Sequence, residues 1–465
     1  MGRAPPPQAN GYFELSANRR DIWYGTDMVG DGKLRADWNV ALLQDVIAPS
    51  YARLILETRE PLQQSGQYYD LWPQERLAEP WCRLTDTLYL SLLDRPTLYT
   101  EADGGRWVSP LQAVFTAEGD GDAEAVVMHA ALVRTGMPLV HVPGPVVQML
   151  RRAAATNGVE LTTADPPAVR AWLLASDERQ AGLSLDEGTA LLRHCTSDVS
   201  GGAGGAAAAA VLGLKLIPLA NGDLGRFEAG VDNPLLICSS EHRSLLARRP
   251  ELVVAVAAEE ALGVALAKVA ASGLTNLLCF SAAIVPQLLP VLLPASWRDQ
   301  EVVAVAEGDE DGSDEGGGGA RSSEPSTVWL VSLWELLGRE HAQVPLRTMV
   351  GWPVLPAEGG VAYALPRGGL RGSRMLELVG SSPELCSCLR SAGCLGLHEA
   401  VSRAHPHLQQ YVHRVSACAV LEALQVASTS ARCLATWGCR LVARFARCSQ
   451  SVATSSRPRS ATARR

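Results

Sequence analysis

A twenty-residue acidic and glycine-rich stretch, EGDEDGSDEGGGGARSSEPS (307–326), limits what this chain of 465 residues can fold into. It has no large apolar side chain, so we predict a disordered insertion. A second low-complexity run, GGAGGAAAAA (201–210), is predicted to be a loop leading into a helix end. The sequence therefore predicts three α/β regions and two disordered ends, with the following boundaries: 1–9 (disordered N-terminus), 10–200, 211–306, 327–427 and 428–465 (arginine- and serine-rich tail).

Helix and strand signals alternate between these breaks, which indicates a mixed α/β (α+β) fold with short strands and hairpins. In ADWNVALLQDVIAPSYARLIL, Trp38, Leu42 and Val46 recur at helical spacing, and Asp37 is the expected N-cap. Aromatic side chains at this density normally belong to a core, so we expect Trp23 and Trp38 to be mostly buried.

Other local signals identify individual elements. Asn221-Gly222, inside the alternating segment 214–228, predicts a hairpin with a two-residue turn and positive φ at both positions. Ser184 and Glu187 have the spacing of a helix capping box. PLVHVP (138–143) is typical of a short buried strand, and further helices are predicted in PPAVRAWLLAS, STVWLVSLWELLGREH and HLQQYVHRVSACAVLEALQ.

Charge and hydropathy exclude several classes of protein. The net charge of −8 argues against nucleic-acid binding by the core, because phosphate contacts need a basic face. The residues after Glu422 carry eight arginines and no acid, so this basic tail could contact anionic surfaces. The apolar stretch 274–293 is interrupted by prolines and polar residues and predicts no membrane span. With no secretory signal at the N-terminus, we expect a cytoplasmic protein.

No motif in the chain indicates a catalytic residue, a metal or a cofactor. The eleven cysteines include the cluster Cys386, Cys388 and Cys394, but no C-x2-C pair, so reduced and mostly buried thiols are expected. DMVGDGKLRADW (27–38) lacks two ligands of a calcium loop and predicts only an Asp/Gly turn. HEAVS (398–402) lacks the second histidine of a zinc-protease helix.

Arg19-Arg20, in NGYFELSANRRDIWYG (10–25), is the candidate for polar recognition. Two guanidiniums beside Asn18 and Asp21 could hold a phosphate, as in a nucleotide, or a carboxylate. The alternative is a structural role, in which an arginine pairs with Asp21 or Glu14 and stacks on Trp23. In either case we expect Arg20 to be paired or to lie at a cleft.

An ordered series of segments resembles a repeat of the sacsin family. NGYFELSANRRDIWYG and the residues that follow it, to about 56, are similar to one part of that repeat. The rest of the series follows in the same order to about residue 427: YYDLWP, PW, LYT, GGRWVSPLQAVF, GMPLVHVP, LGLKLIPLANGDLGRF and HPHLQQYV. The resemblance implies a chaperone-related protein, with client or co-chaperone proteins as partners. It also implies a position just after an ATPase-like domain of the GHKL type.

The glycine loop and the Glu/Asn helix of that ATPase type do not occur here; Asp103-Gly104-Gly105 and Asp223-Leu224-Gly225 each lack the second glycine. One hypothesis is therefore a protein-binding module without its own catalytic site, acting in protein folding or quality control. A second is the middle segment of an ATPase chaperone, in which Arg19 or Arg20 reaches a nucleotide held on a separate domain. A third is a degenerate or incomplete gene product. We expect the tail to dock on no core.

Overall fold

A computed structural model describes residues 11–17, 19–25, 27–63, 67–116, 123–198, 204–256, 260–306, 325–340 and 344–430. The chain divides into two compact units. Unit 1 comprises Met1–Ile237 and Val254–Leu278, and unit 2 comprises Cys238–Val253 and Cys279–Arg465. The predicted break at 201–210 lies within unit 1. The acidic stretch 307–324 and the tail from residue 431 onwards lie outside the described residues, as do residues 1–10.

Unit 1 is a mixed α/β structure with helices predominating, which confirms the predicted fold class. Its helices are Asp31–Ala41 (α1), Ala48–Gln63 (α2), Cys82–Leu92 (α3), Ala123–Arg134 (α4), Gly144–Thr156 (α5), Pro166–Leu174 (α6), Leu185–Thr196 (α7), Gly204–Val211 (α8) and Ala261–Ala270 (α9). Its strands are Leu98–Thr100 (β1), Arg106–Val108 (β2), Val114–Phe115 (β3), Leu139–Val140 (β4), Ile217–Pro218 (β5), Leu224–Gly225 (β6), Leu235–Ile237 (β7) and Leu277–Cys279 (β8). Each strand pairs with one other: β1 with β2 and β5 with β6 are antiparallel, and β3 with β4 is parallel.

The first helix differs from the prediction. It begins at Asp31, so Asp37 is not an N-cap but an interior residue whose carboxylate pairs with Lys33. A π-helical turn, Leu42–Ile47, joins α1 to α2. Pro49 follows this turn and lacks the N–H that would donate to Asp45, so regular α-helical bonding cannot pass through that position.

The buried face of α1 is also rotated from the predicted one. Ala36 and Asn39 are buried in α1, and Leu43 is buried in the π-helical turn that follows, whereas Trp38 is 50% exposed. Trp23 is half-buried. The prediction that both tryptophans are mostly buried is therefore wrong for Trp38. The reason is that the inward face of α1 carries small and polar side chains, which allow a backbone segment to approach closely.

Two hydrophobic clusters form the core of unit 1. One is built on α2, α3 and α5 and includes Tyr68, Trp72 and Tyr89. The other is built on α4, α6, α7 and α9 and includes Phe227. A bidentate ion pair lies beside the second cluster, where the buried Arg170 donates to both carboxylate oxygens of Asp198 at 2.7 and 2.8 Å. The hydrogen bond from Arg170 lowers the pKa of Asp198.

Local signals in unit 1 identified the right elements. Ser184 and Glu187 form the predicted capping box at the start of α7, and PLVHVP contains the buried strand β4. PPAVRAWLLAS contains α6, which Asp165 caps. The run 201–210 is helical from Gly204 onwards, as part of α8.

The hairpin of β5 and β6 forms where predicted, but its turn has three residues. Leu219 N–H donates to Asp223 O at 2.9 Å, and Gly222 N–H donates to Leu219 O at 3.0 Å. Gly222 has φ 90°, whereas Asn221 is not among the residues with positive φ. The prediction of positive φ at both positions is therefore wrong for Asn221. The loop is a turn followed by one left-handed glycine, the other common way to close a hairpin with the correct twist.

Unit 2 contains two three-stranded sheets and four helices among its described residues. The helices are Val285–Leu292 (α10), Thr327–Arg339 (α11), Pro383–Ser391 (α12) and Ala417–Ser430 (α13). The strands are Val302–Ala304 (β9), Pro353–Ala357 (β10), Val361–Ala364 (β11), Met375–Glu377 (β12), Leu395–Gly396 (β13) and His413–Arg414 (β14). The sheet orders are β10-β11-β9, which is antiparallel, and β13-β12-β14, which is parallel.

Helix α11 is the predicted STVWLVSLWELLGREH helix, and Ser326 caps it through the Trp329 N–H. Its two tryptophans are buried, with indole N–H groups that donate to Leu245 O and Val354 O at 2.7 Å. By contrast, the single helix predicted in HLQQYVHRVSACAVLEALQ is wrong. Pro406–Gln410 is a 3₁₀ helix that His405 caps, β14 follows, and only then does α13 begin.

No helix of the described residues is both long and apolar enough to cross a membrane.

Substitution of Gly222 tests the hairpin. A β-carbon at this position would have no other atom within 4 Å, so only the backbone conformation opposes a side chain. We expect Gly222→Val to lower the free energy of unfolding by about 2 kcal/mol, because a β-branched residue resists positive φ. Gly222→Asn, the control, should cost less than about 1 kcal/mol because asparagine tolerates the left-handed region. Equal urea midpoints for the two variants would contradict this turn geometry.

Candidate functional site

The Arg19-Arg20 pair lies at the tip of a small hairpin at the N-terminal end of unit 1. Leu15 and Ile22 form an antiparallel bridge, and the Ser16 N–H donates to Asp21 O at 2.8 Å. Arg19 adopts a left-handed conformation with φ 55°, which costs about 1–2 kcal/mol for a residue with a β-carbon. Both arginines are exposed. The hairpin thus presents them to solvent, while Asn18 lies outside the described residues.

Asn39 of α1 attaches both arms of this hairpin to the helix. Its Oδ1 accepts from the Glu14 N–H at 2.8 Å, and its Nδ2 donates to Glu14 O at 2.8 Å and to Trp23 O at 3.0 Å. The side chain is 1% exposed. A buried amide that bonds three backbone groups fixes the hairpin position. Glu14 O also accepts from the Trp23 N–H at 2.8 Å, whereas the Glu14 N–H and Trp23 O rely on Asn39.

Further side chains hold the hairpin from other directions. Phe13 packs edge-on against Trp81 with ring centroids 5.9 Å apart. On the second arm, a hydrogen bond to the Glu79 carboxylate raises the pKa of Tyr24. Hydrogen bonds from Cys82 and Tyr24 lower the pKa of Glu79. The hairpin is therefore joined both to α1 and to the segment that precedes α3.

A structural arginine does stack on Trp23, but it is Arg35. Its guanidinium carbon lies 5.9 Å from the ring centroid of Trp23, and Arg35 also pairs with Glu14 at 3.9 Å. Sequence reasoning assigned this contact to Arg19 or Arg20, which are nearer in sequence. The helical position of Arg35, four residues before Asn39, places it beside the same two hairpin residues. A phosphate contact by Arg19 and Arg20 stays a prediction.

Apolar side chains on the opposite face of α1 form an exposed stripe. The apolar stripe consists of Leu34, Trp38 and Val46, which are 72, 50 and 52% exposed. Leu34 and Trp38 are four residues apart and share one side of α1, and Val46 is exposed on the π-helical turn that follows. Tyr12, 80% exposed, lies beside the stripe, since the Trp38 indole donates to its backbone oxygen at 3.0 Å.

A cavity of about 180 Å³ opens elsewhere on unit 1. Its lining is largely aromatic and comprises Tyr68, Tyr69, Tyr99, Glu101, Trp107, His129, Val133, Leu139 and His141. Trp107 makes edge-on contacts with Tyr68 and Tyr99, at centroid distances of 5.4 and 5.5 Å. Burial raises the pKa of Tyr68 and of Tyr69, so both phenols stay neutral. Sequence patterns did not predict this cavity, because its residues come from separate segments of the chain.

The described cysteines are thiols, and four of the eight are buried: Cys82, Cys195, Cys238 and Cys394. Burial raises the pKa of Cys195 to about 12 and that of Cys394 to about 11, so these thiols remain protonated. Cys386 and Cys388 lie half-buried on α12. Within the described ranges, no three His, Cys, Asp or Glu side chains are arranged to hold a metal ion.

Comparison with known proteins agrees with the ordered motifs. Human sacsin is 26% identical over 457 residues, an alignment that covers 90% of this chain and 9% of sacsin. The chain is similar to a segment of sacsin. It spans less than a tenth of the length of this curated relative, so the likeness concerns one part of sacsin only. No family model matches the chain, and no solved structure matches it.

The Asn39 attachment can be tested by hydrogen exchange. We expect Asn39→Ala to reduce the protection of the Glu14 and Trp23 amides at least tenfold, which corresponds to about 1.4 kcal/mol. The Glu14 N–H loses its acceptor, and the Trp23 N–H, bonded to Glu14 O, belongs to a hairpin that is no longer attached to α1. Asn157→Ala, at an exposed position of the same unit, should leave this protection unchanged. Unchanged exchange at Glu14 in the Asn39 variant would show that other contacts hold the hairpin.

Proposed function

We propose that this chain is a sacsin-like, chaperone-related module that binds other proteins in the cytoplasm and contributes to protein folding or quality control. We further propose that it has no catalytic site of its own. The similarity to sacsin over 90% of the chain supports a chaperone-related role. The observation that carries the proposal is the apolar stripe, whose members are exposed on α1 and on the π-helical turn that follows it.

The stripe differs from the scattered exposed apolar residues of ordinary surfaces. Leu34 and Trp38 are one helical turn apart, and Val46 is exposed on the π-helical turn that follows. Contiguous exposed apolar side chains mark surfaces that contact other proteins. A half-exposed tryptophan is also the side chain that contributes most strongly to protein interfaces. An unfolded client or a co-chaperone helix could bury these side chains.

Removing the stripe tests the proposal. We expect Leu34→Ser with Val46→Ser to weaken binding of a carboxymethylated, permanently unfolded polypeptide at least fivefold, because two contact side chains lose apolar area. Val231→Ser with Leu274→Ser is the control, since these residues of unit 1 are 54 and 48% exposed and lie off the stripe. Both double variants should unfold at the same temperature as the parent protein. Equal binding by the two would contradict the proposed surface.

A second candidate function follows from the exposed tip of the N-terminal hairpin. Arg19 and Arg20 extend from a loop that Asn39 holds in place, which suits a residue that reaches a nucleotide phosphate on a separate domain. We propose this role as the alternative to protein binding alone.

Isothermal titration with Mg·ATP tests whether this chain holds a nucleotide by itself. For the chain alone we expect no ATP hydrolysis and no micromolar affinity, because arginines without a nucleotide pocket supply only a weak, salt-sensitive attraction. If the chain binds ATP with micromolar affinity, and Arg19→Ala with Arg20→Ala removes that binding, the nucleotide role replaces the protein-binding one.

A further inference from the structure

The side chains that line the aromatic cavity of unit 1 favour a ligand with one sign of charge. Glu101 is the one carboxylate of the lining, which also includes His129 and His141, and it forms no ion pair within the described part of the chain. The Tyr99 and Trp107 rings contribute the negative potential of their faces. Carboxylate and ring faces together attract a cation and repel a phosphate or carboxylate.

The chain itself shows that these rings accept a guanidinium. The guanidinium carbon of Arg59 lies 5.5 Å from the ring centroid of Trp107, and Arg59 Nη1 donates to Pro96 O at 2.8 Å. Arg59 is not part of the cavity lining. The nearby Asp103 and Arg106 pair with each other at 3.3 Å and so add little net charge. Among the described residues, the lining itself therefore holds one carboxylate, that of Glu101, while the Arg59 guanidinium stacks on Trp107 and is not part of that lining.

The volume limits the size of the ligand. Pockets for drug-sized molecules occupy about 300–1,000 Å³, and this cavity has about 180 Å³. That space accommodates one long side chain but not a nucleotide. Val133 and Leu139 supply apolar contacts for a methylene stem, while Glu101, exposed to solvent, is accessible to the charged end of such a chain.

We propose that this cavity binds a cationic side chain, the guanidinium of arginine or the ammonium of lysine, from an extended segment of a partner protein. The aromatic walls hold the stem and the charge, and the Glu101 carboxylate accepts hydrogen bonds from the head group. This site is separate from the apolar stripe and selects its partner by charge. Its function does not depend on whether the stripe binds unfolded clients.

The test uses the full chain and the short peptide acetyl-Gly-Arg-Gly-amide, followed through the indole ¹⁵N–H resonance of Trp107. We expect the peptide to shift this resonance at saturation and its lysine counterpart to do the same. The citrulline counterpart, a neutral isostere of arginine, should bind at least tenfold more weakly. Equal affinity for the arginine and citrulline peptides, or no shift with either, would overturn the proposal.

Substitutions test whether the Glu101 carboxylate is the charge that favours a cationic ligand. Glu101→Gln should weaken binding of the arginine peptide at least fivefold and leave the affinity for the citrulline peptide unchanged. Glu160→Gln, at an exposed position outside the cavity, should change the affinity for neither peptide. If Glu101→Gln keeps full affinity, the carboxylate has no role and the proposal fails. Free ethylguanidinium binding as tightly as the peptide would indicate a small organic cation as the ligand and contradict a protein partner.

Discussion

The side chain of Asn39 organises the N-terminal end of unit 1. Its three hydrogen bonds reach both arms of the hairpin that carries Arg19 and Arg20, and they do so from a fully buried position. Because one amide serves both arms, the hairpin and α1 are held as one piece. The same attachment sets the rotation of α1. With Ala36, Asn39 and Leu43 facing inward, Leu34 and Trp38 lie on the exposed side.

This arrangement accounts for the dense group of large side chains near the start of the chain. Phe13 packs on Trp81, Tyr24 bonds to Glu79, and Trp23 receives the guanidinium of Arg35. The hairpin therefore uses one set of aromatic residues for attachment. Tyr12 and Trp38 remain on the surface, where they are available for a partner. Protein binding by this surface is the proposal that connects the fold with the similarity to sacsin.

Local signals in the sequence identified elements whose decisive interaction spans a few residues. The capping box of Ser184 and Glu187 involves residues three apart. The β5–β6 hairpin was located correctly, but the Asn-Gly signal did not give its three-residue turn or the φ of Asn221. The buried face of α1 could not be predicted in this way, because it depends on Asn39 meeting a hairpin 16 to 25 residues away. Periodicity favoured Trp38 as a core residue, and the close approach of the hairpin backbone decided otherwise. The cavity could not be predicted from local signals either, because its residues come from separate segments and meet only in the folded unit.

Contact with other proteins through the N-terminal surface of unit 1 is the central claim. Hydrogen–deuterium exchange with and without a bound, carboxymethylated polypeptide tests it most directly. We predict added protection in residues 11–47, concentrated in α1 and the π-helical turn, with little change in α11 of unit 2. Protection confined to other segments, with residues 11–47 exchanging as in the free protein, would contradict the claim.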